Sequence, residues 1–347
     1  MNSAMPDRHH IQMLDCTFRD GGYYTGWHFD DALVHDYMAA MRSSRVDLVE
    51  VGYVAPVATQ CGPFKVDRLD KFDFLPASAS LRYCAMLDSK AFLSAADWPL
   101  KLRAALTRSA DTAIDVIRIA SHYSDLRAIP SLVDEIGSLG FRPVLNLMQI
   151  DTAGEAEIEK VFNAVGRIEG LEAVYLADSF GSMQPGRVTA LVSDLLAATR
   201  APVGFHAHNN MGMALLNSVA AIHAGATWID STVAGMGRGA GNTATEELCT
   251  LLNGQAPAAM NELLIHHFSA LKQQYGWGES ILYRIAAQRQ LHPMYVQALP
   301  TDASRDMPWL ARLVQAIPQD RAASFDRRVL EAVLHERAAP VGAGNEN

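Results

Sequence analysis

His206 and His208 stand two residues apart in Gly204-Phe205-His206-Ala207-His208-Asn209-Asn210. In an extended strand, residues two apart point to one side, so the two imidazoles share a face. Gly204, one step earlier on that side, leaves room beneath them. Such a pair holds one divalent cation when a carboxylate from another strand completes a facial set. Asp20, in Arg19-Asp20-Gly21-Gly22, is the best-placed carboxylate. The ordinary alternative is two buried histidines satisfied by neighbours; the position at a strand end favours metal. Arg19 offers a planar fork to a substrate oxygen that gains negative charge, where a surface ion pair is the commoner use of arginine. Glu50 is a natural partner for Arg19, because a buried carboxylate needs one.

These residues need elements that bring them together. Short apolar runs recur at residues 11–16, 46–52, 81–87, 114–120, 142–148, 173–177, 202–206 and 227–233. Their starts lie roughly 25 to 35 residues apart, room for a strand, a helix and two loops. Helical periodicity fills most gaps, as at Leu33, Tyr37, Ala40 and Met41, or Leu191, Val192, Leu195 and Leu196. Strand alternating with helix implies a parallel sheet, and eight such units imply a (β/α)₈ (TIM) barrel. A doubly wound sheet would carry a glycine fingerprint after its first strand, and Arg19-Asp20-Gly21-Gly22 is not one. The expected organisation is an α/β barrel over residues 1–255 and a helical extension over 256–347. Helices are expected at 257–275, 308–317 and 324–338, with a frayed tail at 340–347.

Active sites of such barrels lie at the C-terminal ends of the strands. Arg19 and Asp20 follow the first run in its βα loop, and Glu50 ends the second. Asp178-Ser179 follows the sixth, and the histidine pair ends the seventh. The turn Gly235-Met236-Gly237-Arg238-Gly239-Ala240-Gly241-Asn242 follows the eighth. That turn lets backbone approach a metal or an anion; Asn242 either reaches the metal or caps a helix beginning near Thr243. His122, His223, His292 and the doublets His9-His10 and His266-His267 have no supporting constellation and are read as structural. Metal-dependent hydrolases place a similar pair after strand one, and iron oxygenases use an all-β scaffold, so both are disfavoured.

Composition narrows the class. The chain has 347 residues, 49% hydrophobic and 19% charged, enough for a large buried core. With 38 acidic and 29 basic residues the net charge is −9, which disfavours nucleic acid as a partner. Four scattered cysteines, Cys16, Cys61, Cys84 and Cys249, lack a CxxC pair and suit a reducing cytoplasm. The start MNSAMPDRHH has no apolar stretch, and no run is long enough to span a membrane, so secretion and membrane insertion are disfavoured.

The segment Leu14-Asp15-Cys16-Thr17-Phe18-Arg19-Asp20-Gly21 resembles the D-x-T-x-R-D-G opening of the metal-dependent carbon–carbon lyase and synthase superfamily, the group of hydroxymethylglutaryl-CoA lyase. The histidine segment and the glycine-rich turn resemble two further signatures of that group, in the same order, over about residues 10 to 255. Leu176-Ala177-Asp178-Ser179 and the 234–242 turn look most like its 4-hydroxy-2-oxoacid aldolases. The resemblance implies that Asp20, His206 and His208 bind Mn²⁺ or Mg²⁺, that pyruvate chelates the ion, and that Arg19 stabilises an enolate. It also implies that Glu50, Ser179, Asn242 and Tyr283 touch substrate or stand behind the ligands. A 2-oxo acid and an aldehyde would be the substrates, a homodimer the assembly, and an aldehyde dehydrogenase the protein partner.

One departure from the family stands out. Degradative aldolases carry a histidine base four residues after the arginine; here the position is Tyr23. A tyrosine of ordinary pKa, about 10, is a poor base at neutral pH. Tyr23 is therefore expected to position substrate, with His28, Tyr24 or a metal-bound hydroxide moving the proton. A synthase joining an acyl-CoA to a 2-oxo acid is the second reading, weakened by Arg238 where such synthases carry an acidic residue. An inert binding subunit is the third, opposed by the intact Arg19, Asp20, His206 and His208.

Overall fold

The computed structural model describes residues 10–338, apart from 77, 79, 110, 111, 256 and 301–305, and the side chains of 337 and 338. His9 and the tail at 340–347 lie outside the described residues. Eight parallel strands form the barrel: β1 (Gln12–Asp15), β2 (Leu48–Val54), β3 (Arg82–Asp88), β4 (Ile114–His122), β5 (Arg142–Met148), β6 (Ala173–Asp178), β7 (Val203–Ala207) and β8 (Trp228–Ser231). Closure comes through β1, which pairs Leu14 with Leu48 of β2 on one side and Asp230 of β8 on the other. The strands are buried on both faces, which is why they read as nearly continuous apolar runs. Because β1 ends at Asp15, the rest of that edge of β2 is free, and a two-residue strand, Lys65–Val66, pairs with Tyr53 and Val54 there.

The period of two along each strand builds the interior in layers. Leu48, Val116, Val144 and Trp228 belong to an apolar interior cluster. Two residues further along the same strands come Glu50, Arg118, Asn146 and Asp230, all buried. The site therefore rests on an apolar floor with a charged layer above it.

One connection differs from expectation. The segment after β1 is not a loop: helix α1 (Thr17–Thr25) starts at once, so Arg19 and Asp20 sit in its first turn. Asp15 makes the sharp junction. Its carboxylate accepts from the Thr17 N–H (2.9 Å), the Tyr37 hydroxyl (2.5 Å) and the Thr245 hydroxyl (2.5 Å). The first acid of the motif is thus a brace, and the second is left for chemistry.

Beyond the barrel, helix runs from Ala258 to Tyr275 with one π turn at Leu264–Phe268. Its Met260, Leu263 and Phe268 join the barrel's own core. Helices Met307–Ala316 and Arg327–Ala338 follow expectation, the latter starting three residues late where the Asp326 carboxylate accepts the Arg328 N–H (2.9 Å). Two helices, Ile281–Gln288 and Met294–Gln297, were not anticipated. With the two preceding helices they enclose a second apolar core around Leu291, Tyr295 and Leu313. Among the described residues no helix is long and apolar enough to cross a membrane.

Candidate metal centre and substrate cavity

Asp20 from α1 and His206 and His208 from the end of β7 converge, one ligand atom of each lying within 4.8 Å of the others. The rings of His206 and His208 stand edge to face, 5.0 Å between centroids. His206 Nδ1 lies 2.8 Å from an Asp230 carboxylate oxygen, and its Nε2 faces Asp20 at 3.7 Å. A carboxylate behind one ring nitrogen fixes the tautomer that leaves the other with a free lone pair. His208 is buried, and its Nδ1 has no partner among the described residues. Burial first, then His206, pushes its pKa down to about 3, so the ring is neutral at pH 7. Burial alone would raise the Asp20 pKa, yet Arg19 and then the two histidines hold it well below the carboxylate range. One carboxylate and two imidazoles, one with an orphaned nitrogen, form a donor set that suits a divalent ion.

A ring of charge locks this set in place. Arg19 Nε donates to Glu50 (2.6 Å) and its Nη1 to Asp20 (2.7 Å). Arg118 Nη1 donates to the other Glu50 oxygen (3.3 Å) and Nη2 to Asp230 (2.8 Å). Asp230 returns to His206, which faces Asp20, and the circuit closes. Asn242 adds a bond from Nδ2 to the second Asp20 oxygen (2.5 Å). Two guanidiniums against three carboxylates leave the ring one negative charge, to the advantage of a bound cation. A second group, Cys16, His206 and Asp230, also clusters. There, however, burial holds the thiol well above its usual pKa, and Asp230 already serves Arg118.

Several expectations need correction. Gly204 does not leave open space: a Cβ there would meet the Tyr175 ring at 2.7 Å, and the Arg118 guanidinium lies over that ring, 4.2 Å from its centroid. Asn242 does not cap the following helix, which begins at Thr245 with Ala244 as its N-cap. Instead Gly241, with φ +88°, turns the chain so tightly that a Cβ would lie 2.0 Å from the Gly235 oxygen, and its carbonyl accepts the Asn209 N–H (2.7 Å). That contact carries Asn242 to Asp20. His28 is exposed and not part of the cavity lining. Tyr24 donates to the Gly239 carbonyl (3.3 Å), and burial drives its pKa well above normal, so it is no base. Tyr283 bonds to Tyr24 rather than lining the cavity. His292 is not merely structural: it lines the cavity.

That cavity, about 520 Å³, opens beside His208. Tyr23 lines it, its hydroxyl 3.0 Å from that of Tyr53. Ser179 lines it too and accepts the Gln149 N–H (2.8 Å). His292, from the C-terminal extension, faces Arg238 across it; its Nδ1 accepts the Met294 N–H (3.3 Å), which leaves the ring proton on Nε2. Burial, then Arg238, lowers the His292 pKa to about 3. Sequence reasoning did not reach Arg118, Asp230, Tyr53, Lys65 or His292. A charged residue inside an apolar run, two places past a floor residue, was the signal for Arg118 and Asp230.

A parallel (β/α)₈ barrel with a buried Asp/His group that suits a divalent ion at its C-terminal mouth is the class that fold and site define, and the comparisons narrow it. The HMGL-like family profile matches residues 10–273, and the chain belongs to that family. It is similar to the 4-hydroxy-2-oxovalerate aldolase of Pelotomaculum thermopropionicum, 32% identical over 252 residues, 72% of this chain and 71% of that protein. It is also similar to that of Burkholderia pseudomallei, 27% identical over 332 residues, 85% of this chain and 94% of that one. Among solved structures, the N-terminal domain of a provisionally assigned aldolase from Bacteroides vulgatus superposes with TM-score 0.71 at 29% identity, covering 82% of this chain and 94% of that one. The carboxyl transferase domain of Rhizobium etli pyruvate carboxylase shares the fold, with TM-score 0.68 at 14% identity over 97% of this chain and 63% of that one.

Proposed function

We propose that the chain is a divalent-metal-dependent aldolase that makes or breaks the bond between C3 of pyruvate and the carbonyl carbon of an aldehyde. The observation that carries this is Arg19: buried, clamped by Asp20 and Glu50, with its Nη2 unpartnered among the described residues beside the Asp/His group. The similarity to 4-hydroxy-2-oxovalerate aldolases supports the reading. Mn²⁺ or Mg²⁺, held by Asp20, His206 and His208, supplies Lewis acidity toward the keto and carboxylate oxygens of pyruvate.

In cleavage, the 4-hydroxyl gives its proton to solvent water, the C3–C4 electron pair moves onto C3 as an enolate, and the aldehyde departs; C3 then takes a proton from water. Arg19 Nη2 donates to the oxygen on which the enolate charge collects. A preorganised donor of this kind contributes about 10²–10³ in rate. Tyr23 Oη, placed by Tyr53 and by Arg238 (4.5 Å from its ring centroid), holds the 4-oxygen. His292 Nε2–H stands on the same cavity and donates a hydrogen bond to that oxygen, keeping its proton. Ser179 and Asn242 support from behind, the one on the Gln149 backbone and the other on Asp20. A homodimer and an aldehyde dehydrogenase partner rest on the family resemblance alone.

The test is purified chain with Mn²⁺ and pyruvate in D₂O, followed by NMR. Exchange of the methyl hydrogens, and product formation with added aldehyde, are expected; His206→Ala should lose both together with bound metal. Thiol release from acetyl-CoA with a 2-oxo acid, without aldehyde-dependent product, would reject the aldolase reading.

A further inference from the structure

We propose that the part of the cavity lined by Lys65 and Arg238 is an anion subsite, in which these two residues receive a carboxylate or phosphate carried by the acceptor aldehyde. The inference rests on the pyruvate reading above and names the class of its second substrate.

Three observations carry it. The first is size: about 520 Å³ lies within the range of pockets that take drug-sized ligands, far more than pyruvate and a two-carbon aldehyde fill. The second is placement. Lys65 Nζ lies 4.3 Å from the Trp27 ring centroid and 5.9 Å from that of Tyr53. Arg238 lies over Tyr23, whose hydroxyl meets that of Tyr53 at 3.0 Å. The two cations thus flank one pair of phenols, and all four residues line the cavity. Lys65 arrives there because its short strand takes the edge of β2 that β1 leaves open.

The third is charge. Among the described residues neither Lys65 nor Arg238 makes an ion pair, and Arg238 Nε is buried without a hydrogen-bond partner. Every other guanidinium of the site, by contrast, is matched by carboxylates. The carboxylate on the lining, Asp88, is exposed and accepts the Lys90 N–H (2.9 Å) as a helix cap. The inner ring has one excess negative charge, so a divalent ion and the pyruvate carboxylate bring it to neutrality. Asp20 also attracts Arg238, but its charge is already matched by Arg19 and the ion, and among the described residues no carboxylate pairs directly with Lys65 or Arg238. Half-buried cations resting on aromatic faces are only partly compensated, and an anion on the incoming aldehyde completes the match.

The bond formed is that of the proposed reaction. Pyruvate C3 gives up a proton and attacks the aldehyde carbon, whose oxygen takes up a proton; the anionic group stays intact on Lys65 and Arg238. The test compares kcat/KM for succinate semialdehyde against butanal, and for glyceraldehyde 3-phosphate against glyceraldehyde, each with pyruvate and Mn²⁺. One anionic member should exceed its neutral counterpart about tenfold or more, mainly through KM, the size of one charge-assisted hydrogen bond. The pair with the larger ratio identifies carboxylate or phosphate. Lys65→Met should bring that ratio toward one, and Lys65→Arg should restore most of it. Equal kcat/KM within both pairs, or an unchanged ratio in Lys65→Met, overturns the subsite while acceptor-independent exchange of the pyruvate methyl hydrogens leaves the aldolase reading standing. Loss of that exchange in the wild type removes both.

Discussion

The inner, charged wall of the site and the outer wall that carries Lys65 and Arg238 are built on opposite principles. On the inner wall, built from α1, β2, β4, β7 and β8, charge answers charge in a closed circuit through Glu50, Arg19, Asp20, His206, Asp230 and Arg118. On the outer wall, built from the short strand at the edge of β2 and the glycine-rich turn, Lys65 and Arg238 rest on aromatic rings and make no ion pair among the described residues. Buried ion pairs add little net stability, because desolvation offsets their attraction, but they hold one geometry. The inner wall is therefore fixed in advance, as a reactant common to every turnover requires. The outer wall leaves its charge for whatever ligand arrives.

The largest effect that separates the walls is expected from Glu50→Gln. It leaves Arg19 and Arg118 both short of a counter-charge in the barrel interior, which should remove about 3–5 kcal/mol of stability in urea unfolding. Lys65→Met, at a half-exposed position, should change stability by no more than about 1 kcal/mol. Equal losses in the two variants would erase the contrast. Next in size is Arg19→Ala. Metal content measured on the purified variant should match wild type while turnover falls about 10²–10³-fold; normal turnover would end the enolate role.

A further contrast is a pH dependence. His292 is held neutral with a pKa of about 3 by burial and then Arg238, against about 6.5 in the unfolded chain. Between those values the unfolded state binds a proton that the folded state refuses. Stability from this group is therefore intact above about pH 6.5 and is lost as pH falls toward 3. His292→Phe should escape that loss. The gap between variant and wild type should widen on acidification by at most about 1.4 kcal/mol per pH unit. A gap that stays constant from pH 7 to 4 would move His292 out of the shielded cavity and into solvent.

The eight strands were legible because doubly buried strands must be apolar along their length, and each expected run lies within a few residues of an observed strand. Asp20, His206 and His208 were legible as a group because period two and the barrel's polarity put strand ends on one mouth. The inner charges were harder to see. Arg118 and Asp230 look like interruptions of a strand until closure brings Arg118 against Glu50 and, across the barrel, against Asp230. His292 lay in a segment with no long periodicity, and no local pattern announces which face of the barrel a returning chain will cover.

Residue order alone thus determined the barrel, its active mouth and the chemical types gathered there, because strand period and backbone pairing are local and repeat eight times. Only the folded chain decided that Asp20 rides on a helix, that Arg118 closes the circuit, and that Lys65, Arg238 and His292 share one cavity. Those outcomes depend on contacts between residues as far apart as Arg118 and Asp230, or Asn242 and Asp20, and such contacts exist only once the barrel has closed.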